Sequence, residues 1–310
     1  MKFISAQPDN LYFVWQLYIQ LYNFQKLGIA KDYIILMGFR EDMITKEAIE
    51  LKKYCDTFGA KIYFFPDSRH DLTYLPSMKP HLMKQFFNYH SSSEPFFYID
   101  SDVIFTDKLP DFKKFCKGDK WYLSDTVSYI GAEYIISKSP ELLKGMCQIV
   151  GISEKVVIEN EKNSGGAQYL IKNTDYYFWN KVEGDCYKLF EYMKRTEKQY
   201  CPEHPIQYWC AEMWATLWNA WLRGIKTKVV PQIDFCWPNN DLTEWDNKYI
   251  YHNAGVIKDE TNLFYKGAFL NKVPFGESFD HVSKDRCSIK YVEQLLATGE
   301  IITKIFHFSK

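Results

Sequence analysis

The first hundred residues alternate between short apolar runs and longer stretches of helical periodicity. KFISAQ (2–7) reads as a strand, and a Tyr-, Trp- and Leu-rich helix follows from about Leu11 to Leu27, ended by Gly28. DYIILMGF (32–39) is a second strand, MITKEAIELKKYCDTFG (43–59) a second helix with a glycine stop, and KIYFFPD (61–67) a third strand. Pro80 sits in the first turn of a helix running to about His90, where proline is tolerated, and PFFYID (95–100) is a fourth strand. This β-α-β-α-β-α-β order predicts an α/β fold, a Rossmann-like, mostly parallel sheet flanked by helices. In such sheets ligands bind beyond the carboxyl ends of the strands.

The second half is more mixed. WYLSDTVSYIGAEYIIS (121–137) reads as strand and loop, and ENEKNSGGAQYLIKN (159–173) as a Gly-centred turn before an apolar run. Helices are expected over 175–195 and 206–224, strands over 227–237 and 247–255, and a last helix from Lys290 to Leu296. No Pro/Gly/Ser-rich linker, internal repeat or low-complexity segment interrupts the chain. One continuous domain is therefore expected over 1–260, in halves 1–105 and 106–260, with 261–310 as a C-terminal extension packed on it.

Composition narrows the class. With 310 residues, 46% hydrophobic and 18% aromatic, the chain can bury a sizeable core, which excludes fibrous and disordered proteins. The 38 basic and 39 acidic residues leave a net charge of −1, which does not advertise a polyanionic partner; a local basic groove stays open. Eight Cys occur with no CxxC pair and no zinc-finger spacing, the usage of buried thiols in a reducing compartment. MKFISAQPDN resembles neither a signal peptide nor an anchor, and no later segment reaches the roughly 18 apolar residues of a spanning helix. A cytoplasmic protein of a bacterium or of a virus-infected cell is expected.

The stretch FFYIDSDVIF (96–105) places two carboxylates between apolar runs. At i and i+2 of a strand, Asp100 and Asp102 would project to the same side, into the cleft. Two carboxylates so close cannot both ionise cheaply, and a divalent cation removes that penalty. All-oxygen ligation suits Mn²⁺ or Mg²⁺. In YHNAGVIK (251–258), His252 can complete the metal shell, Gly255 lets backbone approach a phosphate, and Lys258 brings a point charge to it. The plainer reading of the aspartates is a strand cap, and of His252 a satisfied core or surface histidine.

The strand-terminal D-x-D, the N-S-G-G turn at 163–166 and the later H-x-x-G-x-x-K resemble the metal-dependent GT-A glycosyltransferases. The last of these motifs resembles the retaining, glycogenin-like enzymes; in that family Pro-Trp usually follows, whereas here Asp259 and Glu260 do. SAQPDNLYFVWQ (5–16), SMKPHLMKQFF (77–87) and CAEMWATLW (210–218) resemble the plant hydroxyproline arabinosyltransferases and peptidyl-serine galactosyltransferases. The resemblance spans most of 1–260 and implies a nucleotide-binding half, 1–105, and a donor-sugar and acceptor half, 106–260.

What the resemblance implies is specific. Asp100, Asp102 and His252 would hold Mn²⁺ or Mg²⁺ against the diphosphate of a nucleoside diphosphate sugar, a UDP-sugar first. Ala6, Gln7, Asp9 and Asn10 would cradle the nucleobase, with Ser101 and Lys79 joining the donor contacts. Asn163, Ser164, Gly165, Gly166 and Gln168 would lie beside the donor sugar, and Gly255 and Lys258 at the phosphates. Glu212, on a Trp-rich helix, would orient the acceptor or stabilise charge at the anomeric carbon; its plainer reading is a buried ion pair. Asp125 is a further acceptor-side candidate. The acceptor would be a hydroxyl of a glycan, a protein or a hydroxymethylated DNA base, with no membrane span.

Other classes remain. A nucleotidyltransferase acting on sugar phosphates also uses carboxylate-bound metal, but would carry a Gly-rich, basic loop after the first strand, and AQPDN has neither Gly nor Lys. A nucleotide-sugar hydrolase and a noncatalytic carbohydrate-binding module on the same fold are the further alternatives.

Overall fold

The computed structural model describes residues 1–41, 43–90 and 94–306, the side chains of 304–306 excepted; 307–310, the end of the expected extension, lie outside the described residues. Its strands are β1 (Lys2–Pro8), β2 (Tyr33–Phe39), β3 (Lys61–Pro66), β4 (Phe96–Tyr98), β5 (Val103–Phe105), β6 (Trp121–Asp125), β7 (Gly165–Ile171), β8 (Thr227–Val229), β9 (Phe235–Cys236) and β10 (Ile250–His252). They form a seven-stranded sheet in the order β3-β2-β1-β4-β7-β6-β8 and a three-stranded sheet in the order β5-β10-β9. β4 runs parallel to β1 and β8 parallel to β6, while β7 is antiparallel to both β4 and β6. The larger sheet is therefore mostly parallel and flanked by helices, the α/β class that the alternation of apolar runs predicts.

The chain divides into two compact units. One comprises Met1–Ala6, Phe65–Ile99 and Phe112–Ile233; the other comprises Gln7–Phe64, Asp100–Asp111 and Asp234–Lys310. In the first, α3 (Met78–Tyr89) and the helix Ala211–Leu222 both pack on the long helix Tyr176–Tyr200. Trp121, Trp179, Trp214 and Trp218 are buried there as core. In the second, α1 (Leu11–Lys26) packs on α2 (Lys46–Phe58), on β5 and on the helix Ser288–Phe306. One apolar cluster joins Trp15 and Ile19 of α1 to Ile104, Tyr251, Phe264, Phe269, Tyr291 and Leu295.

Local chemistry sets the element ends. Asn10 Oδ1 accepts from Phe13 N at 3.2 Å to cap α1, and Thr45 Oγ1 accepts from Ala48 N at 3.2 Å to cap α2, which starts later than the periodicity suggests. Gly59 closes α2 in the left-handed region, φ 73°.

Three expectations change. After β6 the chain turns into the helices Val127–Ile130 and Ala132–Lys138 rather than a loop: Asp125 Oδ1 accepts from Val127 N at 3.1 Å, and Glu161 Oε2 accepts from Ala132 N at 2.5 Å. The expected strand over 227–237 is split by the turn Pro231–Ile233, since Pro231 has no N–H for a ladder. Gly165 and Gly166 are not a turn. They open β7 opposite Asp125 and Ser124, and a Cβ on Gly165 would lie 2.5 Å from Leu123 Cβ and 2.6 Å from Ser124 O.

All eight Cys are free thiols, seven of them buried. A buried polar group anchors the first unit: His81 Nδ1–H donates to Glu183 Oε1 at 2.7 Å, and the Lys84 ammonium pairs with the same carboxylate. Burial pushes the Glu183 carboxyl up, but His81 and Lys84 together outweigh it and hold it below its ordinary 4.5.

Two outcomes are expected. Gly165→Ala lowers stability by about 1–3 kcal/mol because backbone stands in the way; Gly166→Ala costs less, since its hindrance at 2.3 Å is the mobile end of Met213. Paired urea denaturation curves test the ranking. The stabilisation from ionised Glu183 is complete above about 4.5 and is lost as the pH falls through its depressed native value, so Glu183→Gln flattens the acid limb of the stability–pH profile.

Candidate metal centre

The site begins with three polar side chains on α1. Gln16, Gln20 and Asn23 lie at i, i+4 and i+7, on one face, and none is more than 3% exposed. Amides so buried must be hydrogen-bonded, and each of the three has a partner within residues 100–105, besides Tyr12 O for Gln16 and Tyr33 OH for Gln20. Gln20 Nε2 donates to Asp100 O at 2.7 Å and Val103 O at 2.6 Å. Asn23 makes a reciprocal pair with Phe105, Nδ2 donating to its O and Oδ1 accepting from its N, both at 2.9 Å. Ser101 Oγ donates to Gln16 Oε1 at 3.2 Å.

Asp100 and Asp102 themselves lie beyond the end of β4. Strand alternation therefore does not gather them: the segment is a turn, closed by Val103 N donating to Asp100 O at 3.2 Å. β5 then pairs antiparallel with β10, with Val103 opposite His252, and Asn253 N donates to Asp102 O at 3.0 Å. This ladder brings His252 Nε2 to 3.4 Å from Asp102 Oδ1. The imidazole is held in orientation by Trp237, stacked at 10° with centroids 6.0 Å apart, and by the edge contact of Phe235 at 5.2 Å.

One ligand atom each from Asp100, Asp102 and His252 lie within 4.8 Å of one another. Two carboxylate oxygens and one imidazole nitrogen suit Mn²⁺ or Mg²⁺ with positions left for phosphate and water, so the residues present fit such an ion. A fourth group has no counterpart in the motifs. The Lys266 ammonium pairs with Asp102 Oδ2. Burial would raise the Asp102 carboxyl, yet Lys266 and then His252 outweigh it and hold it well below the usual range. Burial likewise opposes the charge on Lys266, and Asp102 overcomes it and raises that ammonium.

The rest of the H-x-x-G-x-x-K motif follows β10 as irregular chain. Gly255 adopts φ +82°, a conformation that favours glycine. Lys258 is exposed on the turn beyond it. Gly255 also lines a pocket of about 310 Å³ with Trp237, Asn240, Ala254 and Glu260. Of the other residues expected at the nucleotide, Asp9 accepts from Thr45 N at 2.8 Å and from Thr45 Oγ1 at 2.5 Å, and Asn10 caps α1. Both carry local structural duties. Gln7 is buried in the same unit.

The remaining candidates belong to the other unit, with Ala6 buried in β1. There Lys79 and Glu212 come together, Nζ to Oε2 at 3.5 Å. Glu212 is 3% exposed; its Oε1 accepts from Thr216 Oγ1 at 3.2 Å, and its N donates to Tyr74 OH at 2.8 Å. Lys79 Nζ stands 5.2 Å from the centroid of the Tyr98 ring. Gln168 is fully buried, with Ser124 Oγ 2.6 Å from its Oε1. Ser164 is buried, and its Oγ has no hydrogen-bond partner among the described residues. Asn163 ends a short turn and its O accepts from Thr227 Oγ1 at 3.2 Å, while Asp125 is exposed at the end of β6.

Sequence reasoning missed Gln16, Gln20, Asn23 and Lys266. The amides leave a readable signal, a polar i, i+4, i+7 row on an otherwise apolar helix. Lys266 leaves none, because only the fold brings it to Asp102.

No protein-family model matches the chain, and no curated protein matches it. Solved structures similar to it include a galactosyltransferase, LgtC, in complex with donor and acceptor sugar analogs, at 13% identity over 95% of each chain with a TM-score of 0.48. The apo-form glycosyltransferase GlyE of Streptococcus pneumoniae is similar at 10% identity over 99% of this chain and 62% of its own, TM-score 0.47. Mouse xyloside xylosyltransferase 1 is similar at 9% identity over 81% and 97%, TM-score 0.40. These three similar structures are glycosyltransferases; a putative glucose-1-phosphate thymidylyltransferase from Bacillus anthracis is also similar, at 11% identity over 74% of this chain and 87% of its own, TM-score 0.35. Among the described residues no helix is long and apolar enough to cross a membrane.

Gln20→Met removes the amide donor from the Asp100 and Val103 carbonyls, of which Asp100 O keeps Val103 N as a donor at 3.2 Å. A loss of about 1–3 kcal/mol is expected on denaturant titration, the cost of buried groups left unpaired. A change within a few tenths would mean that water replaces the amide.

Proposed function

We propose that the chain is a glycosyltransferase that moves a sugar from a nucleoside diphosphate sugar, with uridine diphosphate as the first donor to try, to an acceptor hydroxyl with retention. The convergence of Asp100, Asp102 and His252 to within 4.8 Å is the observation that carries this reading. A divalent cation held by these three residues would supply a Lewis acid for the charge that builds on the departing diphosphate. The chain's own part is to hold that charge cluster rigid. Gln20 and Asn23 fix the backbone that bears the two aspartates, and Trp237 and Phe235 fix the imidazole.

In this reading Ala6, Gln7 and Ser101 serve the nucleotide, with Asp9 and Asn10 acting through the helix ends they secure. Gly255 and Lys258 serve the phosphates. Lys79, Asn163, Ser164 and Gln168 serve the donor sugar, and Gly165 and Gly166 do so only by opening the strand that carries Gln168. Glu212, ion-paired with Lys79, positions that ammonium, and Asp125 is an acceptor-side group. The AQPDN loop supports transfer of a sugar over transfer of a nucleotide, since it offers no Gly-rich cradle for a triphosphate.

A thermal-shift panel of nucleoside diphosphates and triphosphates with Mn²⁺, Mg²⁺ or chelator tests the proposal. One diphosphate should stabilise the protein only with metal, by about 2.7 kcal/mol at 100 times its dissociation constant. Asp102→Asn should remove the metal-dependent part. Stabilisation by triphosphates alone would turn the reading to a nucleotidyltransferase. A response indifferent to chelator, or none to any nucleotide, would overturn it in favour of a noncatalytic module.

A further inference from the structure

Asp102 is neutralised by the chain's own groups. Its Oδ1 faces His252 Nε2 at 3.4 Å and its Oδ2 receives the Lys266 ammonium, so a lysine already shares the carboxylate that a divalent cation would take. The base of that lysine is firmly set. Lys266 opens the turn Lys266–Phe269; Phe269 is buried and its O accepts from Trp15 Nε1–H at 3.1 Å. On the other side Phe264 is buried, and its N donates to Ser288 Oγ at 2.8 Å. The side chain is less confined: it keeps 26% of its surface exposed, and its four-carbon stem lets the ammonium swing while the backbone stays.

We propose that Lys266 is a tethered counter-cation that occupies Asp102 in the metal-free protein and is displaced when a divalent cation binds. This rests on the reading of Asp100, Asp102 and His252 as a metal centre. A buried carboxylate without a partner is strongly destabilising, so Lys266 preserves the fold of the empty centre. A cation on Asp102 competes with that ion pair for one carboxylate's charge, which weakens its binding when it comes alone. A nucleotide changes the balance, because the released ammonium then finds phosphate oxygens as its new partners. Metal and nucleoside diphosphate therefore bind with positive cooperativity, with Lys266 as the coupling element.

Calorimetric titration with Mn²⁺ alone tests this on the wild type, Lys266→Met, Lys266→Gln and Lys266→Arg, each with and without Asp102→Asn. Mn²⁺ should bind Lys266→Met and Lys266→Gln at least about tenfold more tightly than wild type, the ion pair no longer competing, while Lys266→Arg stays near wild type. The glutamine variant keeps a hydrogen-bond donor toward Asp102 in case the methionine variant does not fold. Adding uridine diphosphate should tighten Mn²⁺ binding to the wild type by more than it does in the uncharged variants. If Asp102→Asn abolishes Mn²⁺ binding and the uncharged variants bind it no more tightly than wild type, the counter-cation is overturned and the metal centre stands. If neither wild type nor the uncharged variants bind Mn²⁺, or Asp102→Asn leaves binding unchanged, the metal centre falls and the counter-cation with it.

Discussion

The candidate site depends on a need of the backbone: peptide groups taken out of water must still be hydrogen-bonded. Residues 100–105 leave β4, turn, and re-enter as β5, and through that passage their carbonyls cannot all be served by a ladder. Gln20 and Asn23 serve them from α1. Because those amides are themselves buried, neither partner can leave without stranding the other. The turn that bears Asp100 and Asp102 is thus as fixed as the helix behind it. From β5 the antiparallel ladder carries the same order to His252.

Three carboxylates of little exposure are each paired from another element, whereas buried Asp185 pairs with Lys181 on its own helix. Asp102 takes Lys266, Glu212 takes Lys79, and Glu183 takes Lys84 together with His81. Each lysine or histidine comes from a different element than its carboxylate. Such pairs gain less than their Coulomb attraction suggests, since both charges lose water. Where they sit at candidate functional positions, they hold a charge ready at a defined place, and a ligand of matching charge can take over one partner.

Much of the fold was legible in the alternation of apolar runs. β1 to β4 and α1 to α3 fall close to where periodicity and glycine or proline stops place them, because those elements are set by local pattern. The second half was harder to read: caps made by Asp125 and Glu161, and the proline that splits 227–237, override the apolar pattern there. The gathering of Asp100, Asp102 and His252 was legible from motif chemistry, but its geometric cause was not. A turn and a ladder bring them together, not the pleat of one strand. The two glycines at 165 and 166 looked like a ligand-side turn, whereas what a Cβ would strike is Leu123, Ser124 and Met213. Lys266 shows the general limit: a lysine in a stretch without a motif acquires meaning only from its neighbour in space.

The cluster that joins Trp15 and Ile19 to Phe264, Phe269, Tyr291 and Leu295 has a consequence for the order of events during synthesis. Helix α1 is made well before Phe264, Phe269, Tyr291 and Leu295, which cover part of its apolar face. At typical elongation rates the delay is on the order of ten seconds or more. Once made, Asp102 waits for His252 and Lys266, as Trp15 waits for Phe264 and Phe269. The nascent chain therefore carries an uncovered aromatic surface until those residues follow.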